Sequence, residues 1–145
     1  MSNLDIFLID YEIYKKNPNW WLEIIEIFLK PGIKFKLSLE KEQKNILQKI
    51  RTYGNDLKIS YEKNLIYLEG ILNREMIKDF EVSYKVVNCG DIDYYSRFFT
   101  LEIGKNYFSA HYGREVYLTS LSEVELGDVL KVLNPLRESF KIDIS

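Results

Sequence analysis

The chain reads as α+β: one domain over residues 1–145, a largely antiparallel sheet with about three helices packed on it. Ring placement is the first reason, since ten of the twenty-one Phe, Tyr and Trp residues fall between Phe80 and Tyr117, in a stretch that alternates like consecutive antiparallel strands. The second is that helical stripes are few and separated by such strands. The third is continuity: no repeat, low-complexity stretch or Gly/Ser linker interrupts the chain, and 145 residues at 46% hydrophobic fill one core more comfortably than two.

From Leu4 to Tyr14 apolar residues occupy both parities until Asp10, which predicts a strand covered on both faces. Pro18 and Asn19 then start a helix that Pro31 and Gly32 end. Its stripe is Trp21, Ile24, Ile25 and Phe28; Trp20, Leu22, Ile27 and Leu29 widen the arc, so the rest of the domain or a partner must cover it from more than one side. Ile33, Phe35, Leu37 and Leu39 alternate with Lys34, Lys36 and Ser38, the cleanest one-sided strand pattern in the chain. A second helix turns Ile46, Leu47, Ile50 and Tyr53 inward and stops at Gly54. A Lys63-Asn64 turn then predicts a hairpin pairing Tyr61 with Ile66 and Ile59 with Leu68.

Asn73 to Phe80 reads as a short helix capped by Asn73, and Val82 to Val86 as a strand ending in the turn from Asn88 to Asp91. One strand of about twelve residues is expected from Ile92 to Ile103, its Tyr94-Tyr95 and Phe98-Phe99 doublets marking a bulge or strong twist. With Lys105 and Asn106 as the next turn, Ile103 would oppose Phe108, Leu101 Ala110 and Phe99 Tyr112, leaving Glu102 with Ser109 and Thr100 with His111 on a polar face. Glu115 to Thr119 continues the sheet. Ser122 and Glu125 form a capping box for a helix from Glu123 to Leu133, with Leu121 and Leu126 as its staple, and Pro135 stops it. Phe140, Ile142 and Ile144 alternate as an edge strand. Were Ile33 to Leu39 a loop instead, the order would resemble the helix-grip fold in topology, with no motif to support a family.

Composition narrows function by exclusion. Twenty basic against twenty-two acidic residues leave a net charge of −2, which gives no field for nucleic acid or anionic lipid. Apolar runs such as Ile6 to Ile9 are far below the length of a membrane helix, and Asp5 does not suit a signal peptide, so a cytoplasmic protein is expected. Cys89 is alone and has no cationic neighbour to favour its thiolate. Abundant Ile, Lys, Asn and Tyr with a single Ala reflect A/T-rich codons, as in a low-GC bacterium or its phage.

No cofactor motif is found: neither a phosphate loop nor a nucleophile elbow occurs, and one His and one Cys do not make a zinc site. Asp91 and Asp93 share a parity and would project together, as solvated strand-end acids first and metal ligands last. Lys15, Lys16, Lys34 and Lys36 lie near Tyr11, Tyr14 and Phe35, a superficial likeness to a nucleic-acid surface that Glu12 and Glu40 dilute. Acids recur on the first helix (Glu23, Glu26), at the turn (Asp91, Asp93) and on the last helix (Glu123, Glu125, Asp128).

Two functional expectations follow. The first is a non-enzymatic protein that binds and masks a partner, a basic one in particular, as bacterial toxin-immunity or phage anti-defence proteins do. Its contact surface would be Asp91, Asp93, Tyr94, Tyr95, Glu123 and Glu125. The alternative is a small-ligand binder or weak acid/base enzyme with a cavity between sheet and last helix, using His111, Tyr107 and Glu102.

Overall fold

The computed structural model describes residues 1–10, 12–54, 56–82, 87–89 and 92–145, with 82, 87–89 and 92–94 described by backbone alone. In chain order the elements are β1 (Ser2–Leu8), α1 (Trp20–Ile25), β2 (Lys34–Glu40), α2 (Lys44–Arg51), β3 (Lys58–Glu62), β4 (Leu65–Ile71), α3 (Arg74–Val82), β5 (Val87–Cys89), β6 (Ile92–Tyr94), β7 (Thr100–Ile103), β8 (Tyr107–Ala110), β9 (Glu115–Leu121), α4 (Glu123–Leu133) and β10 (Phe140–Ile144). Eight strands form one antiparallel sheet in the order β10-β1-β9-β8-β7-β2-β4-β3, and β5 pairs with β6 separately. This is the α+β architecture that the alternation predicts.

One face of the sheet makes the core. Leu4 and Ile6 of β1, Phe35, Leu37 and Leu39 of β2, Ile66 and Leu68 of β4, Leu101 and Ile103 of β7, and Val116 and Leu118 of β9 join Trp20 and Ile24 of α1, Leu47 and Ile50 of α2, Met76 and Phe80 of α3, and Val129 and Leu133 of α4 in a single cluster. The wide apolar arc around α1 belongs to this core: the Trp20 ring stacks on Phe140 at 4.8 Å and Tyr95 at 5.1 Å, and Phe28 and Leu29 are buried just beyond the helix. The domain itself covers most of it.

Several sequence expectations hold residue for residue. β3 and β4 pair Tyr61 with Ile66 and Ile59 with Leu68. β2 is a central strand, hydrogen-bonded to β4 and β7, so the loop that a helix-grip order requires is absent. Asn73 Oδ1 accepts from the Met76 amide at 2.9 Å and starts α3. On α4, Ser122 Oγ accepts from the Glu125 amide at 3.1 Å while Glu125 Oε1 accepts from the Ser122 amide at 2.9 Å, a closed capping box. Ser122→Ala should therefore lower stability by about 1 kcal/mol, read from urea unfolding; an unchanged midpoint would show that water replaces the hydroxyl at no cost.

Other expectations change. β1 ends at Leu8, because Asp10 Oδ1 accepts from the Glu12 amide at 3.0 Å and folds the chain into a turn, followed by a 3-10 segment at Ile13–Lys15. α1 is six residues long and gives way to turns before Pro31. Val82 closes α3 rather than opening a strand; residues 83–86, like the 90–91 part of the predicted turn, lie outside the described residues.

The long strand from Ile92 to Ile103 is broken at 95–99. Tyr95 and Phe98 are both buried, which opposite parities of a straight strand would forbid. The chain bends because the amides of Tyr95 and Ser96 both donate to the Tyr112 carbonyl, at 3.0 and 2.9 Å. Tyr112 sits in a run of left-handed residues, His111 (φ +52°), Tyr112 (φ +58°) and Gly113 (φ +86°). Glycine is required at 113 on two counts, since a Cβ there would stand 3.0 Å from the Trp21 indole in a backbone conformation other residues resist.

The β7–β8 register also differs by one residue. Gly104, at φ +56°, permits a three-residue loop of 104–106 instead of a two-residue turn. Ile103 therefore opposes Tyr107, Glu102 opposes Phe108 and Leu101 opposes Ser109. The loop is fastened by the Gly104 amide to the Lys34 carbonyl (2.8 Å), Asn106 Nδ2 to the Thr119 carbonyl (2.9 Å) and Thr119 Oγ1 to the Lys105 carbonyl (2.7 Å). Tyr107 and Ser109 point into the core, and Phe108 points the other way.

Candidate functional site

The slipped register scatters the acid/base set. Tyr107 is buried against Phe28, ring centroids 5.6 Å apart, and burial pushes its phenol well above the ordinary range. Glu102 is on the opposite face of the sheet, between Phe108 and Lys36. His111 is on the turn after β8, half exposed, its Nδ1 bonded to the Glu115 carboxylate. Thr100 bonds Ser38 at 2.5 Å instead of facing His111, and Ser109 is inside. Three surfaces hold three candidates, so no shared substrate position joins them.

Of the predicted contact surface, Tyr95 is corrected outright. It is fully buried against Trp20, because the bend at 95–99 turns it into the core, and it cannot anchor a partner. Glu125 is half buried with its carboxylate engaged in the cap, and Glu123 is exposed on the first turn of α4. Asp91 lies outside the described residues, as do the side chains of Asp93, Tyr94 and Cys89. Among the described residues no group of three or more His, Cys, Asp or Glu is placed to hold a metal.

Among the described residues, three of the four lysines of the basic patch are paired with acids, Lys34 being the exception. Lys15 pairs with Glu12 at 3.3 Å, Lys16 with Asp10 at 3.3 Å and Lys36 with Glu69 at 3.4 Å. The backbone amide of Glu12, then the Ser139 hydroxyl and Lys16, hold the Asp10 carboxyl below its usual range. On the helical side, partial burial and then the charges of Glu81 and Glu23 push the Glu26 carboxyl up.

The face of the sheet away from the core is more informative. Alternation puts Asp5 and Phe7 of β1, Glu115 and Tyr117 of β9, Phe108 of β8 and Glu102 of β7 on it, with Lys141 and Asp143 of β10 at its edge. Phe7, Tyr117 and Phe108 are partly buried and form one row, with ring centroids 5.6 Å apart for the first pair and 6.0 Å for the second. Asp5 stands directly opposite both Tyr117 and Asp143. The Tyr117 phenol is raised above its ordinary range by partial burial first and then by the charges of Glu115 and Asp5. The row is therefore apolar at its centre and negative around it. Beyond Glu102 the same face changes character, with Lys34 and Lys36 of β2 and Lys58 of β3 interleaved with Glu69.

Phe7 and Tyr117 were legible as period-two outliers, Phe7 between Ile6 and Leu8 and Tyr117 between Val116 and Leu118. Their meeting was not, because it depends on β1 lying beside β9. No helix among the described residues is long and apolar enough to cross a membrane. Comparison with protein-family models, with curated proteins and with solved structures finds no match to this chain.

Proposed function

We propose that the protein is a non-catalytic interaction module that masks a basic protein partner on the acidic, ring-bearing half of its open sheet face. The observation that supports this reading is the continuous row Phe7, Tyr117 and Phe108 set among Asp5, Glu115, Glu102 and Asp143, with Lys141 opposite Phe7 and Lys36 beyond Glu102. Rings of this kind supply contact area at low entropic cost, and a surrounding negative field steers a cationic partner and fixes its orientation. Asp5 and Asp143 face each other across β1 and β10, a like-charge arrangement that is unfavourable in the isolated sheet and that a partner's Lys or Arg would relieve. Toxin immunity and phage anti-defence are roles in which such masking is the whole activity.

The test begins with capture of a partner from host extract, followed by binding kinetics. Asp5→Asn with Asp143→Asn should slow association about tenfold at low salt and remove most of its salt dependence, while the isolated variant is as stable as wild type or more so by about 0.2–1 kcal/mol. Phe108→Ala should chiefly speed dissociation. Kinetics unchanged in both variants, or a captured partner with an acidic contact surface, would remove this face from the interface.

A further inference from the structure

At the end of the interior strands β2 and β7, the turns after α1, the β7–β8 loop and the first turn of α4 line a cleft of about 420 Å³. This volume lies within the range of small-ligand sites. Its apolar walls are Ile27, Phe28, Ile33 and Ile103, of which Phe28 and Ile103 are nearly fully buried. Lys30, Lys34 and Lys105 are exposed residues of its lining, Lys34 from the open-face side of β2, and none of them forms an ion pair among the described residues. The only acid lining it, Glu125, has its carboxylate turned to the Ser122 amide by the capping box.

A second depression of about 390 Å³ shares Lys34 and Gly104 with this cleft and lies toward the open face. There Lys36 and Lys58 are matched by Asp56, Glu69 and Glu102, and Lys36 is paired with Glu69 at 3.4 Å. Of the two depressions, the one with the apolar walls therefore carries the excess of lysine over acid. Gly104 keeps that cleft open, since its left-handed backbone makes the loop and a Cβ there would already stand 3.2 Å from Ile33 Cγ2.

We propose that this cleft binds a small organic anion, a carboxylate carried on an aliphatic tail, with the tail against Phe28, Ile33 and Ile103 and the carboxylate among Lys30, Lys34 and Lys105. The two halves of the ligand answer to different forces: apolar burial holds the tail without direction, and charge-assisted hydrogen bonds from the ammonium groups fix the head. Because the lysines are exposed, affinity falls as salt is added. The site is separate from the partner-binding face and stands or falls independently of it.

The experiment titrates the whole protein with sodium octanoate, octanol and inorganic phosphate, using calorimetry together with backbone amide shifts. Octanoate should bind once per chain with a Kd below about 1 mM and move the amides of Ile33, Gly104 and Lys105; octanol should bind about tenfold more weakly or worse, and phosphate should not saturate. Lys34→Glu with Lys105→Glu should weaken octanoate about tenfold or more at an unchanged thermal midpoint, and Lys30→Glu alone should weaken it in the same direction. Equal binding of octanol, saturable binding of phosphate, shifts confined to other residues, no octanoate binding near 1 mM, or indifference to both charge reversals would each overturn the proposal.

Discussion

Tyr107→Ala should destabilise the protein by about 3–5 kcal/mol, whereas Phe108→Ala, one residue along the same strand, should cost about 1 kcal/mol or less. The first ring is 2% exposed and packs on Phe28, so its removal leaves a cavity in the core; the second lies partly buried beside Tyr117 on the open face and leaves none. Tyr107→Phe separates the ring from its hydroxyl. That hydroxyl has Ser109 and Trp21 as polar neighbours but no hydrogen bond of regular geometry, so deleting it should be neutral or mildly stabilising. Urea unfolding of the three variants reads the register directly: a costly Phe108→Ala with a harmless Tyr107→Ala would restore the two-residue turn.

Asp79→Ala should cost a comparable amount, about 3–5 kcal/mol, by a different route. The Asp79 side chain is 4% exposed and accepts from Lys49 Nζ at 2.7 Å and Arg97 Nη2 at 2.9 Å. Arg97 lies against the adjoining rings of Phe80 and Phe98, at 5.8 and 5.3 Å from their centroids, and its carbonyl accepts from Gln43 Nε2 at 3.1 Å. It cannot swing out to water cheaply, so without the carboxylate a largely desolvated guanidinium remains. Lys49 is half exposed and contributes little by itself; Lys49→Ala should cost about 1 kcal/mol or less. In an Arg97→Met background the Asp79→Ala penalty should shrink by a measurable coupling term. Additive losses in that cycle would mean that solvent screens the pair.

Which features were legible in the sequence depends on how local their determinants are. The α4 cap needs only Ser122 and Glu125, three residues apart, and β2 announces itself because Phe35, Leu37 and Leu39 all face one way. The β3–β4 register follows from a turn whose two residues leave one choice of pairing. The β7–β8 register fails at this level because turn length hangs on the backbone angle of Gly104, and because sorting residues by polarity sent Ser109 outward when the core in fact holds it opposite Leu101 and Val116. Tyr95 misled for a related reason: a doublet in a straight strand exposes one ring, but the Tyr112 carbonyl bends the chain and buries this one. The ring row of the open face was invisible because its members come from β1, β8 and β9, and sequence periodicity says nothing about which strands become neighbours.

The position of β1 sets an order of events for folding. Among the described residues its partners in the sheet are β9 and β10, so residues 2–8 pair once residues 115–144 are in place. Closing a loop of more than a hundred residues must precede the pairing of this strand, which makes its incorporation into the sheet a late and slow step by the logic of contact order. The β3–β4 hairpin, with β2 beside β4, can assemble early from nearby sequence, while the first strand waits for its partners. That interval, rather than the finished fold, is where an uncovered β1 leaves the chain most open to aggregation.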